Sequence, residues 1–274
     1  MISTRVPATL LLLLPLACSP APAPSAPGAA AVFAGASGRW VDLTHPFSED
    51  AIYWPTARAF ELDTVSFGDT PGGWFYSAFD FRAAEHGGTH LDAPIHFAEG
   101  RQAADEIPLD RLIGAAAVVD ISARADADAQ VEVADLEAWE AEHGPLPPRV
   151  ILLLRTGWSS RYDDRVAYLG TDVTGPEAVP LLHFPGLHPD AARWLVEQRD
   201  VAAVGIDTPS IDYGQSQGFE SHRILYDADI PGFENVAGLE QLPAQGAFVV
   251  ALPMKIAGGS GGPLRIVAFV PQRT

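Results

Sequence analysis

Four short apolar runs punctuate the chain: "AAAVVDIS" from residue 115, "RVILLLRTG" from 149, "VAAVGIDTPSID" from 201 and "GAFVVALPMKI" from 246. Each is rich in Val, Ile, Leu or Ala and bounded by turn residues, which is the pattern of a buried strand. Between them the period changes. "VADLEAWEAEHG" places apolar residues at helical spacing and closes on Gly144, and "HPDAARWLVEQR" starts with Pro189 and carries Ala192, Leu195 and Val196 on one face. Both read as amphipathic helices. Strands alternating with helices predict an α/β domain. The stretch from about 45 to 105 is rich in Pro, Gly and aromatics and has no helical period. It is expected at strand ends and loops, where sites are built.

The pattern also divides the chain. An apolar run from Leu10 to Ala17, preceded by Arg5, is too short for a membrane span but suits a secretory signal core. It ends at Cys18, the single cysteine, in "LPLAC", which resembles a bacterial lipobox except that Pro15 stands where Leu is usual. A lipid-anchored mature chain starting at Cys18, cleavage near "AGAS", and an uncleaved segment are the three readings, and the first two export the protein. "SPAPAPSAPGAAA" is a Pro/Ala tether that buries nothing. Folding is expected from "GRWVDLTHPF", where Trp40, Val41 and Leu43 begin a strand pattern. The expected division is a leader over 1–18, a linker over 19–38 and one domain over 39–274.

With 274 residues, 47% hydrophobic and 19% charged, the chain is long enough to bury a large core. Its 17 Lys+Arg against 35 Asp+Glu exclude a phosphate-binding surface, hence nucleic acid, and docking on an anionic membrane through basic patches. The only membrane link expected is the N-terminal lipid.

The chemistry concentrates in "EHGGTHLDAPIHF", residues 85–97, which holds three of the eight histidines. Histidines four apart can share a helix face, but Gly87, Gly88 and Thr89 lie between His86 and His90, and two glycines disfavour a helix. On an extended chain His90, Asp92 and His96 point to one side. The Gly87–Gly88 pair lets the chain bend His86 back toward them. Neutral imidazoles and a carboxylate are ligands for zinc or manganese. The competing reading is a polar cluster of structural histidines.

The spacing H-x-x-x-T-H-x-D-x-P-x-H, complete here as His86, Thr89, His90, Asp92, Pro94 and His96, resembles the signature of the metal-dependent cyclase or kynurenine formamidase family, which includes isatin hydrolases. "DLTHPF", "YWP", "LLRTGW", "FPGLHPDAARWL", "VGIDTPSID", "SHRILYDADIPGFENVAGL" and "PMKIAGGSGGPLRIVAF" extend the resemblance over nearly everything after the linker. It implies a swivelling β/β/α domain with a mixed central sheet and flanking helices, assembled as a homodimer or larger homo-oligomer. It implies one or two divalent ions, zinc ahead of manganese, held by His86, His90, Asp92, His222 and Glu234, with the two carboxylates shared. His96 is left as general acid/base, and Trp54 as the residue that stacks on an aromatic substrate. Asp207 and Ser210 resemble groups that orient a ligand histidine. Trp74, Phe75 and Tyr76 line the same pocket or the core. His45, His183 and His188 are expected to be structural. The activity implied is hydrolysis of an amide in a small aromatic substrate. An aryl formamide such as N-formylkynurenine comes first and a cyclic amide or lactone of the isatin type second. A non-catalytic metal-binding lipoprotein is the reading from another class, and His96 argues against it.

Overall fold

The computed structural model describes Met1 and residues 37–272; the leader beyond Met1, Cys18 and the linker as far as residue 36 lie outside the described residues. In chain order the strands are β1 (Gly38–Asp42), β2 (Glu61–Asp69), β3 (Phe75–Arg82), β4 (His90–Asp92), β5 (Ile113–Asp120), β6 (Gln130–Val131), β7 (Val150–Arg155), β8 (Gly186–Leu187), β9 (Val201–Ile206), β10 (Gly232–Glu234), β11 (Gln245–Pro253) and β12 (Gly261–Pro271). The helices are α1 (Leu109–Leu112), α2 (Val133–His143), α3 (Arg165–Leu169), α4 (Pro189–Gln198) and α5 (Glu220–Asp227). Among the described residues no helix is long and apolar enough to cross a membrane.

The main sheet runs β1-β12-β11-β5-β7-β9-β10-β4, and β4 pairs again with β12. The expected mixed sheet is therefore present, parallel from β5 through β7 and β9 to β10 and antiparallel elsewhere. What the apolar pattern does not anticipate is closure. β4 bridges both ends, so the sheet curls into a barrel with β1 attached outside.

Alternation along the central strands explains the two cores. Ala116, Val118, Ile151, Leu153 and Ala203 turn into the barrel with Leu91, Phe233 and Val249. Their neighbours Ala117, Val119, Leu152, Leu154 and Val204 face outward, onto Leu136 and Trp139 of α2, Leu195 of α4 and Leu225 of α5. Strands covered on both faces read as continuous apolar runs, which is why β7 and β9 were legible. The helices start where the sequence marks them. Glu132 and Asp135 form a reciprocal capping box on α2, and Pro189 occupies the first turn of α4.

β2 and β3 pair only with each other, in a hairpin standing off the barrel. Its residues are mostly exposed on both strands. Trp74, Phe75 and Tyr76, expected in the pocket or the core, lie exposed at its tip and do neither. The turn Gly72–Gly73 that precedes them reverses the chain into the hairpin, carrying the aromatics outward.

Candidate active site

β4 is the hub. His90 and Asp92 alternate to the same face while Leu91 enters the barrel core. The antiparallel register of β10 sets Glu234 directly opposite His90. That ladder joins a carboxylate to a histidine far away in sequence: His90 Nε2 lies 3.3 Å from Glu234 Oε2 and 3.1 Å from Asp92 Oδ1. Opposite Asp92 stand Gly232 on β10 and Gly261 on β12. A Cβ at Gly232 would lie 2.6 Å from Tyr226 Oη, and one at Gly261 2.6 Å from His86 Cε1. Those two glycines leave room for the groups that hold Asp92. His86 Nδ1 is 2.7 Å from its Oδ1, and the Tyr226 hydroxyl donates to its Oδ2 at 2.9 Å.

The bend expected at the glycine pair is real: Gly88 takes φ +57, and His86 returns to within hydrogen-bonding distance of Asp92. From the other side α5 presents His222 and Tyr226, one turn apart on one face. His222 Nε2 lies 2.9 Å from Glu234 Oε1 and 3.6 Å from Asp92 Oδ2. His86, His90, Asp92, His222 and Glu234 are therefore brought together.

His96 also reaches this cluster, though not by strand alternation. β4 ends at Asp92, and Pro94–His96 form one turn of 3₁₀ helix with Pro94 in its first turn. That turn stacks His96 on His86 at 3.8 Å between ring centroids.

The orienting groups differ from expectation. Asp207 accepts from the backbone N–H and hydroxyl of Thr156 at 2.8 and 2.6 Å and from the N–H of Gly157 at 2.8 Å, tying β9 to the end of β7. Burial pushes its carboxyl up to about 6 against those three donors. Ser210 lines the cavity, and its carbonyl accepts from Thr208. Neither touches a histidine of the cluster. That contact belongs to Asp212, whose Oδ2 is 2.5 Å from His222 Nδ1. Asp212 also accepts from the backbone N–H groups of Ser221 and His222, so it fixes the first turn of α5 as well as the ring. In sequence Asp212 closes "TPSID" with no local spacing that ties it to His222; the contact exists only in the fold.

His45, His183 and His188 lie apart from the cluster. His45 stacks on Tyr162 at 3.5 Å, His183 pairs with Asp128 at 2.8 Å, and His188 caps α4 by accepting from the N–H of Asp190.

The donor set fits a divalent cation. Burial disfavours both the ionised carboxylates and protonated imidazoles here, yet their mutual hydrogen bonds reverse it. Despite burial, bonds to Asp92 and Glu234 push His90 up to about 10. The three histidines around Asp92 hold its carboxyl well below its usual range. Two buried carboxylates thus call for positive charge, which a bound cation would supply. The tautomers agree: His90 Nδ1–H donates to the Gly88 carbonyl at 3.0 Å and His222 Nδ1 faces Asp212, freeing each Nε2 toward the carboxylates. His90, Asp92 and Glu234 form one buried potential ligand group, and His86, Asp92 and His96 a second.

Beside this cluster opens a cavity of about 280 Å³. Trp54, Phe97 and Phe219 supply its apolar wall, with Trp54 6.2 Å from Phe219 and 6.3 Å from Phe184. Among the described residues no lysine or arginine lines it.

Residues 41–213 match the family model described as "Putative cyclase". The chain belongs to the cyclase family. It is 36% identical over 223 residues to the isatin hydrolase of Roseibium aggregatum, covering 77% of this chain and 81% of that one. It is 33% identical over 237 residues to the kynurenine formamidase of Salinibacter ruber, covering 83% of this chain and 95% of that one. Among solved structures, isatin hydrolase A of Ralstonia solanacearum superposes with a TM-score of 0.79 at 33% identity, covering 91% of this chain and 100% of that chain.

Proposed function

We propose that this cyclase-family chain is a metal-dependent amidohydrolase whose substrate is a compact, neutral aromatic amide, a cyclic amide of the isatin type before an aryl formamide. The observation that carries this order is the cavity wall: Trp54, Phe97 and Phe219 beside the histidine–carboxylate cluster, with no cationic side chain among the described residues. N-formylkynurenine bears an amino-acid head whose carboxylate needs a buried cation or equivalent donors. A neutral bicyclic lactam needs only an aromatic slot. The formamidase reading keeps support from the resemblance to the Salinibacter kynurenine formamidase over 95% of its length.

His86, His90, Asp92, His222 and Glu234 would hold one or two divalent ions, zinc ahead of manganese for a set this rich in imidazole. When bound, such ions lower the pKa of water toward neutrality and polarise a carbonyl. The remaining work falls to side chains. Trp54 and Phe219 grip the aromatic ring and set its carbonyl toward the cluster. His96, lowered to about 4 mainly by burial, is neutral at pH 7 and so is ready to take a proton from the attacking water. It then delivers that proton to the leaving nitrogen as the C–N bond breaks, giving a carboxylate and an aryl amine from a cyclic amide.

The test is turnover of metal-loaded protein on isatin, N-formylkynurenine and a simple aryl lactone. A higher kcat/KM for isatin supports the order given; a preference for N-formylkynurenine restores the formamidase, and no turnover of any amide sinks the reading.

Two further proposals concern setting. The leader, Cys18 and the Pro/Ala tether support export as a periplasmic or cell-envelope lipoprotein, which mass spectrometry of the mature N-terminus tests. The exposed apolar hairpin supports a homodimer, argued below.

A further inference from the structure

His90 and His222 have their outer ring nitrogens tied to Gly88 and Asp212; His86 has a different arrangement behind it. Its Nε2 lies 2.9 Å from the hydroxyl of Ser260, at the other end of the chain. The same hydroxyl is 2.7 Å from Glu85 Oε2, and the Ser260 backbone N–H donates to that oxygen at 3.0 Å. The donor inventory fixes the direction. A carboxylate only accepts, so the Ser260 hydroxyl donates to Glu85, and its oxygen accepts from His86 Nε2–H. The ring is thereby left with Nδ1 toward Asp92.

The backbone around Ser260 is shaped for this contact. It sits in "GGSGG", residues 258–262. A Cβ at Gly259 would lie 2.8 Å from Glu85 Oε1, and one at Gly261 2.6 Å from His86 Cε1. Side chains on either flank would push away the two residues that Ser260 joins. The Ser260 carbonyl accepts from the N–H of Ala93 at 2.8 Å, which locks this segment to the end of β4.

We propose that Ser260 and Glu85 are positioning residues that select the Nδ1 ligand face of His86 and hold it toward the metal that the cluster binds. The inference rests on reading His86 as a ligand. Groups of this kind change metal affinity by about 10–100-fold when removed. Ser260→Ala and Glu85→Ala therefore weaken metal binding by that factor and change the visible spectrum of the cobalt-substituted protein, since the ring is freed to rotate. Glu85→Gln keeps an acceptor oxygen for both Ser260 donors and restores affinity close to wild type.

The experiment is titration of chelator-stripped protein with Co²⁺ and Zn²⁺, beside His86→Ala. Equal melting temperatures of the metal-free proteins show that packing is intact. If Ser260→Ala fails to fold, Glu85→Ala and Glu85→Gln carry the comparison from the other side of the same bond. Wild-type affinity and spectrum in both alanine variants, while His86→Ala loses the ion, overturns the proposal. Wild-type metal binding in His86→Ala instead overturns the ligand reading beneath it.

Discussion

Asp212 stands directly behind His222: its Oδ2 is 2.5 Å from Nδ1, while Nε2 of the same ring faces Glu234 at 2.9 Å. The carboxylate fixes both tautomer and ring angle, and it raises the basicity of the nitrogen offered to a cation. Asp212→Ala is expected to weaken metal binding at the cluster by about 10–100-fold. Titration of chelator-stripped protein with Zn²⁺ reads the affinity. An unchanged affinity would show that Asp212 serves only the first turn of α5.

His96 should separate chemistry from binding. It stacks on His86 but makes no ladder or carboxylate contact of the kind that holds the other histidines. His96→Ala is expected to retain metal and fold while losing about 10²–10⁴ in kcat. The loss should shrink on an activated aryl ester, whose leaving group needs no proton. Metal content and turnover are measured on one preparation; metal lost in step with activity would make His96 a ligand.

How much of this was legible depended on distance along the chain. His86, His90 and Asp92 were readable because one bend and one strand alternation bring them together locally. His96 reaches the cluster by a route that strand alternation does not predict, since Pro94 starts a helical turn where the sequence reads as extended. Glu234 and His222 came only through resemblance. Their position depends on the β10–β4 register and on α5, and no local period encodes either. Asp207 and Asp212 are not separable by sequence pattern, because both are aspartates at the end of one apolar run. Only the fold shows that one holds β7 and the other holds a histidine. Barrel closure escaped for a similar reason: β4 is three residues long, too short to announce two partners.

His45 gives the fold a pH dependence. Burial lowers it to about 4, against a small opposing pull from Asp163. Between that value and about 6.5 the unfolded chain carries the proton and the folded chain does not, so stability falls as pH drops through this window. Discounted for partial exposure, its share is on the order of 1–2 kcal/mol. Asp207 acts in the opposite sense. Its carboxyl, raised to about 6, takes a proton first in the folded state, so its share increases as pH falls toward 4. His45→Phe keeps the stack on Tyr162 but cannot titrate. Urea unfolding of metal-free protein at pH 4.5 and 7 should show a smaller loss at pH 4.5 for the variant than for wild type. Equal losses would assign the dependence elsewhere.

The hairpin of β2 and β3 makes the last prediction. Phe67 meets Phe75 at 5.3 Å and Phe79 at 6.3 Å between centroids, and Leu62 lies opposite Phe81, so these five share one face. Glu61, Asp63, Asp80 and Arg82 alternate onto the other face. Solvent has no need of such segregation, and a lone two-stranded hairpin is marginal in water. The five are 44–70% exposed. At about 150–250 Å² for a whole aromatic side chain, they offer roughly 500 Å² per copy, the apolar centre of an interface whose standard half is about 800 Å². A chain with net charge -18 opposes self-association overall, and this uncharged face adds no charge repulsion of its own. A second copy related by a two-fold axis satisfies both faces at once, because the patch is complementary to itself. Phe67→Asp, which sets a carboxylate in the centre of the patch, should convert a dimer to a monomer in light scattering and leave the metal sites filled. A wild-type chain that is monomeric at micromolar concentration, or a Phe67→Asp variant that stays dimeric, would remove the hairpin as the interface.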